Sequence, residues 1–376
     1  MSWMRWATFS LLFVTFYFIQ DIVFFFLQPL INTTALLVIS WLTCSRIYRK
    51  LVLPNFTQRI EGKPELHVLI TGCDTGFGFL TSQRLHELGF SVISCCLSKE
   101  SDGAKKLSLL KNVHVLELDV CKEDDVKRVH EQVVDILSDN NNSVNSVNSK
   151  KKLHSVINNA GIALSGMIEW NKSTKDLEKT LDVNLVGVVR VSKAFLPLLR
   201  QSKGRIVNIS SAAARETGLS MTSYCISKAG VTKFSESLDL EVASFGVKVV
   251  TLEPFFFKTP ITEAKVHANN LKREWDEDAD EEVKQSYKSI GRLINSSINI
   301  TDSSFITDPN PLKVVHVLEE AVTSPDPDSF YRPGYRFPLS TISMVLPYEI
   351  LFPLRRFLVS VIAITERNAS FLFKNK

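Results

Sequence analysis

From residue 66 onward, short apolar runs alternate along the chain with longer amphipathic ones. The short runs are Leu66–Thr71, Phe90–Leu97, Val113–Leu118, Leu153–Asn158, Arg205–Ser210 and Val247–Glu253. Each is rich in Val, Ile or Leu, as strands covered on both faces are. Between them, periodicity predicts helices over Phe77–Leu88, Glu123–Leu137, Thr174–Arg200 and Thr222–Phe245. Strand and helix in alternation imply an α/β domain built on a doubly wound parallel sheet. The polar, low-complexity tract 139–152 (DNNNSVNSVNSKKK) reads as a solvated loop between a helix and the fourth strand.

The ends follow another pattern. Trp6–Ile19 and Ile22–Cys44 are apolar runs, and the first 45 residues carry only two formal charges, Arg5 and Asp21. About 20 apolar residues suffice for a spanning helix, so one tilted span or a hairpin broken near Gln28-Pro29 fits. The run is too long for a signal peptide, and no small-residue cleavage site ends it. The basic cluster Arg46, Arg49 and Lys50 should face the cytosol, with everything after it. Phe337–Ile364 is apolar again but holds Glu349 and Arg355-Arg356, which suits an interfacial or packed helix better than a deep span. The expected organisation is a membrane anchor over 1–45, a basic linker over 46–64, one catalytic domain over 65–335 and a hydrophobic tail over 336–376.

Charge narrows the function. Forty-four basic against 40 acidic side chains give a net charge of +4, without the basic bias of a nucleic-acid binder. None of the six cysteines has metal-ligand or CxxC spacing, so no metal site is expected. The seven histidines are scattered without ligand spacing and none is assigned a role. The run Lys272–Lys284, of alternating sign, reads as a solvated helix. The 24 phenylalanines are the unusual feature: seven lie in the first 45 residues.

The chemistry starts after the first strand, at Thr71-Gly72-Cys73-Asp74-Thr75-Gly76-Phe77-Gly78. Glycines there let the backbone turn and approach a pyrophosphate, and the following helix offers free N–H groups and a positive dipole end. Tyr224 and Lys228 are four residues apart and share a helix face. A phenol with a pKa near 10 is a poor base at neutral pH, and a neighbouring ammonium would lower it. Tyr224 would then take an alcohol's proton while hydride leaves, with Ser211 holding the same oxygen.

Gly72, Gly76 and Gly78, Asp119 after the third strand, Asn158-Asn159-Ala160-Gly161 after the fourth, Asn184, Ser211 and Tyr224-xxx-Lys228 occur in one order. In that set the chain resembles the short-chain dehydrogenase/reductase family. The Thr-Gly-Cys-Asp-x-Gly-Phe-Gly wording is similar to the branch of microsomal retinol dehydrogenases, 17β- and 3α-hydroxysteroid dehydrogenases and 3-hydroxybutyrate dehydrogenase. The resemblance covers about residues 65–335. It implies a Rossmann-type fold, with Ser211, Tyr224, Lys228 and Asn184 catalytic. Lys228 would also bind the ribose, and Asn184 would hold a relay water. It places the dinucleotide against Thr71, Gly72, Asp74, Gly76, Phe77, Gly78, Asp119, Asn158, Ala160, Gly161, Tyr224, Lys228 and Thr259. Such relatives often dimerise through the helices carrying Asn184 and Tyr224, so a homodimer is an implied state. The implied location is the endoplasmic reticulum membrane, with a mitochondrial membrane as the alternative.

Cofactor and substrate are less determined. The second strand ends Cys95-Cys96-Leu97-Ser98-Lys99, without the acid that normally selects NAD. Asp74 supplies a carboxylate nearby that would repel a 2′-phosphate. NAD is therefore favoured, with NADP left open. After the sixth strand, Glu253-Pro254-Phe255-Phe256-Phe257-Lys258-Thr259 departs from the family's Pro-Gly, and a phenylalanine at 255 would be strained if φ were positive there. Phe255 and Phe256, with Ser211, are candidate substrate contacts in an apolar cleft. The leading expectation is a membrane-anchored, NAD-dependent oxidation of a lipophilic secondary or allylic alcohol, retinol or a hydroxysteroid. A 3-hydroxybutyrate-type enzyme would need a cation for the carboxylate, with Arg215 or Lys258 the candidates. A dinucleotide-binding protein without turnover is the third alternative.

Overall fold

The computed structural model describes residues 58–138, 151–287 and 307–334, with isolated helical residues at 15, 33, 34, 36–38, 40, 41, 44, 353, 356 and 357. The chain divides into two compact units, Met1–Arg59 and Ile60–Lys376. Among the described residues no helix is long and apolar enough to cross a membrane. The expected anchor, the C-terminal apolar run and the loop at 139–150 fall almost wholly outside those residues.

Within the second unit the described elements run β1 (Leu66–Thr71), α1 (Gly76–Glu87), β2 (Ser91–Cys96), α2 (Asp102–Ser108), β3 (Val113–Glu117) and α3 (Glu123–Ser138). There follow β4 (Lys152–Asn158), α4 (Lys175–Leu181), α5 (Gly187–Ser202), β5 (Arg205–Ile209), α6 (Thr222–Val242) and β6 (Lys248–Leu252). The last are α7 (Ala264–Arg273), α8 (Glu281–Ser286), α9 (Leu312–Thr323) and β7 (Phe330–Tyr331). The seven strands pair in parallel in the order β3-β2-β1-β4-β5-β6-β7. The order reverses at β1/β4, and there the C-terminal ends of the strands open a crevice.

Period-two alternation explains the two covered faces. In β1, Val68 and Ile70 enter one core with Leu85 of α1, Leu107 of α2 and Val314, Leu318 and Val322 of α9. Leu69, between them, enters the other with Val129 of α3, Phe195 and Leu199 of α5 and Leu238 of α6. All are buried, and burial of each such side chain contributes about 1.5–3 kcal/mol. Arg205 ties the edge region together: its guanidinium donates to the carbonyls of Ala321 and Ser324 at 2.8 and 2.7 Å, at the C-terminal end of α9.

One expected helix is divided. Between α4 and α5, Asp182–Val186 forms a π-turn. The buried Asn184 explains it. Its amide donates to Ile162 O at 2.8 Å and Ser227 Oγ at 3.0 Å, while its oxygen accepts from Ile162 N at 2.8 Å. Three bonds hold the side chain inward and accommodate an extra residue in the turn.

Candidate active site

A cavity of about 720 Å³ lies at the ends of the strands. Its first wall is the β1–α1 loop, with Gly72, Asp74, Thr75, Gly76 and Phe77 lining it. Gly76 has φ +61°, a conformation costly for a residue with a Cβ. Gly78 permits a close approach: a Cβ there would stand 2.4 Å from Gly72 O and 2.5 Å from Asn159 Nδ2. Thr75 caps α1 with no side-chain hydrogen bond, so the first-turn N–H groups are left for an anion. These features fit a dinucleotide pyrophosphate.

Asp74 turns toward β2. Its carboxylate accepts from Leu97 N at 2.9 Å and Ser98 N at 3.4 Å, so a negative charge sits at the end of β2 although that strand carries no acid. Asp119, Ala160, Gly161 and Thr259 line the same cavity. Thr71, Gly78 and Asn158 do not. Thr71 Oγ1 accepts from Asn159 N and Ala160 N, both at 3.0 Å, which fixes the β4 end against β1. Asn158 points into the core, donating to Ser192 Oγ and Asn208 Oδ1 at 2.9 and 2.8 Å. The neighbouring Asn159 lines the cavity and braces the glycine loop, donating to Thr71 O and Gly72 O at 2.8 and 2.9 Å. Strand alternation could have separated the two asparagines; pair spacing alone did not.

The second wall carries Ser211, Tyr224 and Lys228. Ser211 caps the short turn Ala212–Ala214, its Oγ accepting from Ala213 N at 3.2 Å. Tyr224 lies in the first turn of α6 and lines the cavity with Ser211. Burial pushes the Tyr224 phenol up to about 12, and Ser211 works in the opposite direction. Burial also brings the Lys228 ammonium down to about 8. Lys228 Nζ stands 5.7 Å from the centre of the Tyr224 ring and donates to Ile209 O at 2.9 Å. Burial is the largest influence on the phenol, and its direction is opposite to the lowering expected from the lysine. Asn184 lies outside the cavity lining, behind Gly161, where a Cβ would stand 3.3 Å from Asn184 Oδ1 and 3.6 Å from Lys228 Nζ.

The remaining wall is largely apolar: Ile162, Leu219, Met221, Phe255, Phe256, Ile261 and Leu271 line it. Phe255 has no positive φ, so the strain considered for a non-glycine there does not arise. Its N–H donates to Pro333 O at 3.0 Å, and its ring packs edge-on to Phe256 at 5.1 Å. Ser165 and His267, hydrogen-bonded to each other, also line the cavity. Neither is conspicuous in the sequence, since they are 102 positions apart. Arg215 and Lys258 do not line it; Arg215 reaches the fully buried Glu253, at 2.9 Å, with Arg332 on the same carboxylate. The run Lys272–Lys284 is not wholly solvated either: Glu274, in the π-turn Glu274–Asp278, is 2% exposed. Among the described residues no group of three His, Cys, Asp or Glu could hold a metal ion.

Sorted this way, the site is that of a nucleotide-dependent enzyme with a proton-transfer wall facing an apolar cleft. The short chain dehydrogenase family model matches residues 66–270. The chain belongs to that family. It is 36% identical over 275 residues to the mitochondrial D-beta-hydroxybutyrate dehydrogenase of Bos taurus, covering 71% of this chain and 76% of that one. It is 36% identical to retinol dehydrogenase 7 of Rattus norvegicus, covering 72% and 80%. It is 35% identical to estradiol 17-beta-dehydrogenase 2 of Mus musculus, covering 71% and 68%. A short chain dehydrogenase/reductase from Burkholderia phymatum, solved in complex with NAD, shares the fold at 21% identity with a TM-score of 0.56, covering 76% of this chain and 93% of that one. The protein is an NAD(P)-dependent oxidoreductase acting on hydroxyl groups of a small-molecule substrate.

Proposed function

We propose that the chain oxidises a lipophilic secondary or allylic alcohol with NAD, a hydroxysteroid or retinol being the leading substrates. The observation that carries this is the placement of Ser211, Tyr224 and Lys228 on one wall of a cavity whose substrate side is lined by Leu219, Met221, Phe255 and Phe256. Ser211 orients the carbinol oxygen. Tyr224 takes its proton. Lys228, held by Ile209 O, lies one helical turn below and provides positive charge beneath the phenol and toward the ribose. Bound NAD supplies the hydride acceptor. Asn184 keeps the Ile162 loop and α6 in register behind the site.

Asp74 supports NAD over NADP. Its carboxylate at the end of β2 would meet a 2′-hydroxyl favourably and a 2′-phosphate with like charge. Lys99, the cation nearest in sequence, does not line the cavity.

The likeness to a retinol dehydrogenase and to an estradiol 17-beta-dehydrogenase agrees with an apolar cleft. The hydroxybutyrate reading has a relative of equal identity. Against it, neither cation considered for the carboxylate reaches the cavity, and Arg215 already faces Glu253. The non-enzymatic reading loses its single support, since Phe255 is unstrained. The apolar N-terminal run supports membrane anchoring, with the endoplasmic reticulum the leading location; alkaline extraction of membranes from expressing cells should leave the protein in the pellet.

Full-length protein in detergent, given NAD and a panel of retinol and hydroxysteroids, should generate NADH. Tyr224→Phe should lower kcat by about 10³-fold while retaining NADH binding. A variant that keeps most of its turnover would overturn the assignment.

A further inference from the structure

Ser165 and His267 form a hydrogen-bonded polar pair in the cavity lining, beside the apolar Leu219, Met221, Phe255 and Phe256. Ser165 is 4% exposed, and its Oγ lies 2.5 Å from His267 Nδ1. Ser165 comes from the segment after β4. His267 comes from α7, whose lining residues His267 and Leu271 close the cavity. The two are positioned independently of each other. Gly166 N donates to Ser220 O at 2.8 Å and Gly166 bridges to Met221, so Ser165 is fixed beside the entry to α6, which carries Tyr224. His267 N donates to Glu263 O at 3.3 Å within the start of α7.

The two groups satisfy each other through one bond, and the remaining hydrogen-bonding capacity of the hydroxyl and the ring can meet a ligand oxygen. The charge around them sets which oxygen. Burial holds the His267 imidazole below its usual range, so it is neutral at physiological pH. The Glu274 carboxyl packs on Gly166, next to Ser165, where a Cβ would stand 2.1 Å from either oxygen. Glu216 also lines the cavity. Lys179 also lines the cavity, but at Ser165 itself a carboxylate ligand would have the Glu274 carboxyl behind it, against which a hydroxyl or carbonyl carries no charge.

We propose that Ser165 and His267 form a specificity site that hydrogen-bonds a second, uncharged oxygen of the substrate. The preferred substrates are then rigid lipophilic alcohols with an additional hydroxyl or carbonyl, above alcohols such as retinol with a single oxygen. This rests on the alcohol-oxidising reading above and narrows its substrate class.

The test is equilibrium binding to the full chain in detergent, loaded with NADH so that no turnover occurs. The probes are an androstane-3,17-diol and the two mono-alcohols that each lack one of its oxygens. Wild type should bind the diol about tenfold more tightly than the poorer mono-alcohol, the size of one good hydrogen bond. His267→Ala should collapse that ratio to within about twofold, His267→Gln should retain part of it, and Ser165→Ala should reduce it. Comparing ratios between proteins cancels micelle partitioning and general loosening of the fold. A ratio unchanged in His267→Ala, or a wild type without any preference, would overturn the proposal. Turnover of the same alcohols with NAD, and its loss in Tyr224→Phe, tests the parent reading separately.

Discussion

The two halves of the cavity, one proposed for the cofactor and one for the substrate, are built by different means. The cofactor half comes from one strand–turn–helix unit and the ends of its neighbouring strands. Its key atoms are backbone: uncapped N–H groups of α1, the glycine carbonyl that Asn159 braces, and the N–H groups of Leu97 and Ser98 that Asp74 holds. The substrate half is assembled from segments far apart in the chain, including Ser165, Met221, Phe255 and His267, and its key atoms are side chains. Backbone geometry tolerates little change at particular glycines, whereas a side-chain wall can be respecified one residue at a time. The contrast accounts for a family whose relatives carry hydroxybutyrate, retinol and estradiol names at nearly equal identity to this chain.

The severest challenge to the contrast is at Gly78. Alanine there would place a Cβ 2.4 Å from Gly72 O, a backbone atom that cannot rotate away. Gly78→Ala should weaken NADH binding by about 100-fold or more, read by NADH fluorescence titration, since the Gly72 carbonyl and the loop that lines the cavity must be displaced. If Leu271→Ala in the substrate wall cost NADH affinity as much, the division into two halves would not hold.

This difference also sets what the chain revealed before it was folded. All six strands read from the apolar runs are present within a residue or two, as β1 to β6, because a short, continuous Val/Ile/Leu-rich run is a local property. The glycine loop, Ser211, Tyr224 and Lys228 were legible for a similar reason: their spacing within one turn or one helix already places them. β7, only two residues long, carries too little pattern to be read, and α9 follows a segment without clear periodicity. Asn184 was found, but the π-turn it holds was not, since that turn depends on Ile162 and Ser227 from other segments. The Ser165–His267 pair and the burial of Glu274 are wholly tertiary and left no trace in the spacing. Even the Asp74 contact, legible as a charge near the ribose, acquired its place at the end of β2 only through folding.

Asp74 gives the intermediate effect. Asp74→Ala removes the carboxylate that accepts from Leu97 N and Ser98 N, and with it the like charge that would face a 2′-phosphate. The ratio of kcat/KM for NAD to that for NADP should fall by about tenfold or more, corresponding to at least ~1.4 kcal/mol. Asp74→Asn should lie between, because an amide keeps one acceptor without the charge. An unchanged ratio would mean that cofactor choice resides elsewhere in the cofactor half.

The smallest effect concerns Glu274, on the substrate side. Burial raises its carboxyl to about 7, and Asp176 and Asp278 push in the same direction while Arg273 and a hydrogen bond from Asn171 oppose it. A raised folded pKa means that the native state binds the proton more tightly than the unfolded chain does. Its stabilising contribution is then full below the ordinary value of 4.5 and is lost as pH rises toward 7. Above that, wild type carries a buried charge, and Glu274→Gln does not. The variant should therefore melt higher than wild type at pH 8, by an amount equivalent to about 1–3 kcal/mol. At pH 5 both side chains are largely neutral, and the difference should shrink toward zero. The sign separates two pictures of the substrate wall. A Glu274→Gln variant that is less stable than wild type at pH 8 would show the ionised carboxylate to be satisfied in the fold, a standing negative charge beside Ser165 rather than a strained buried one.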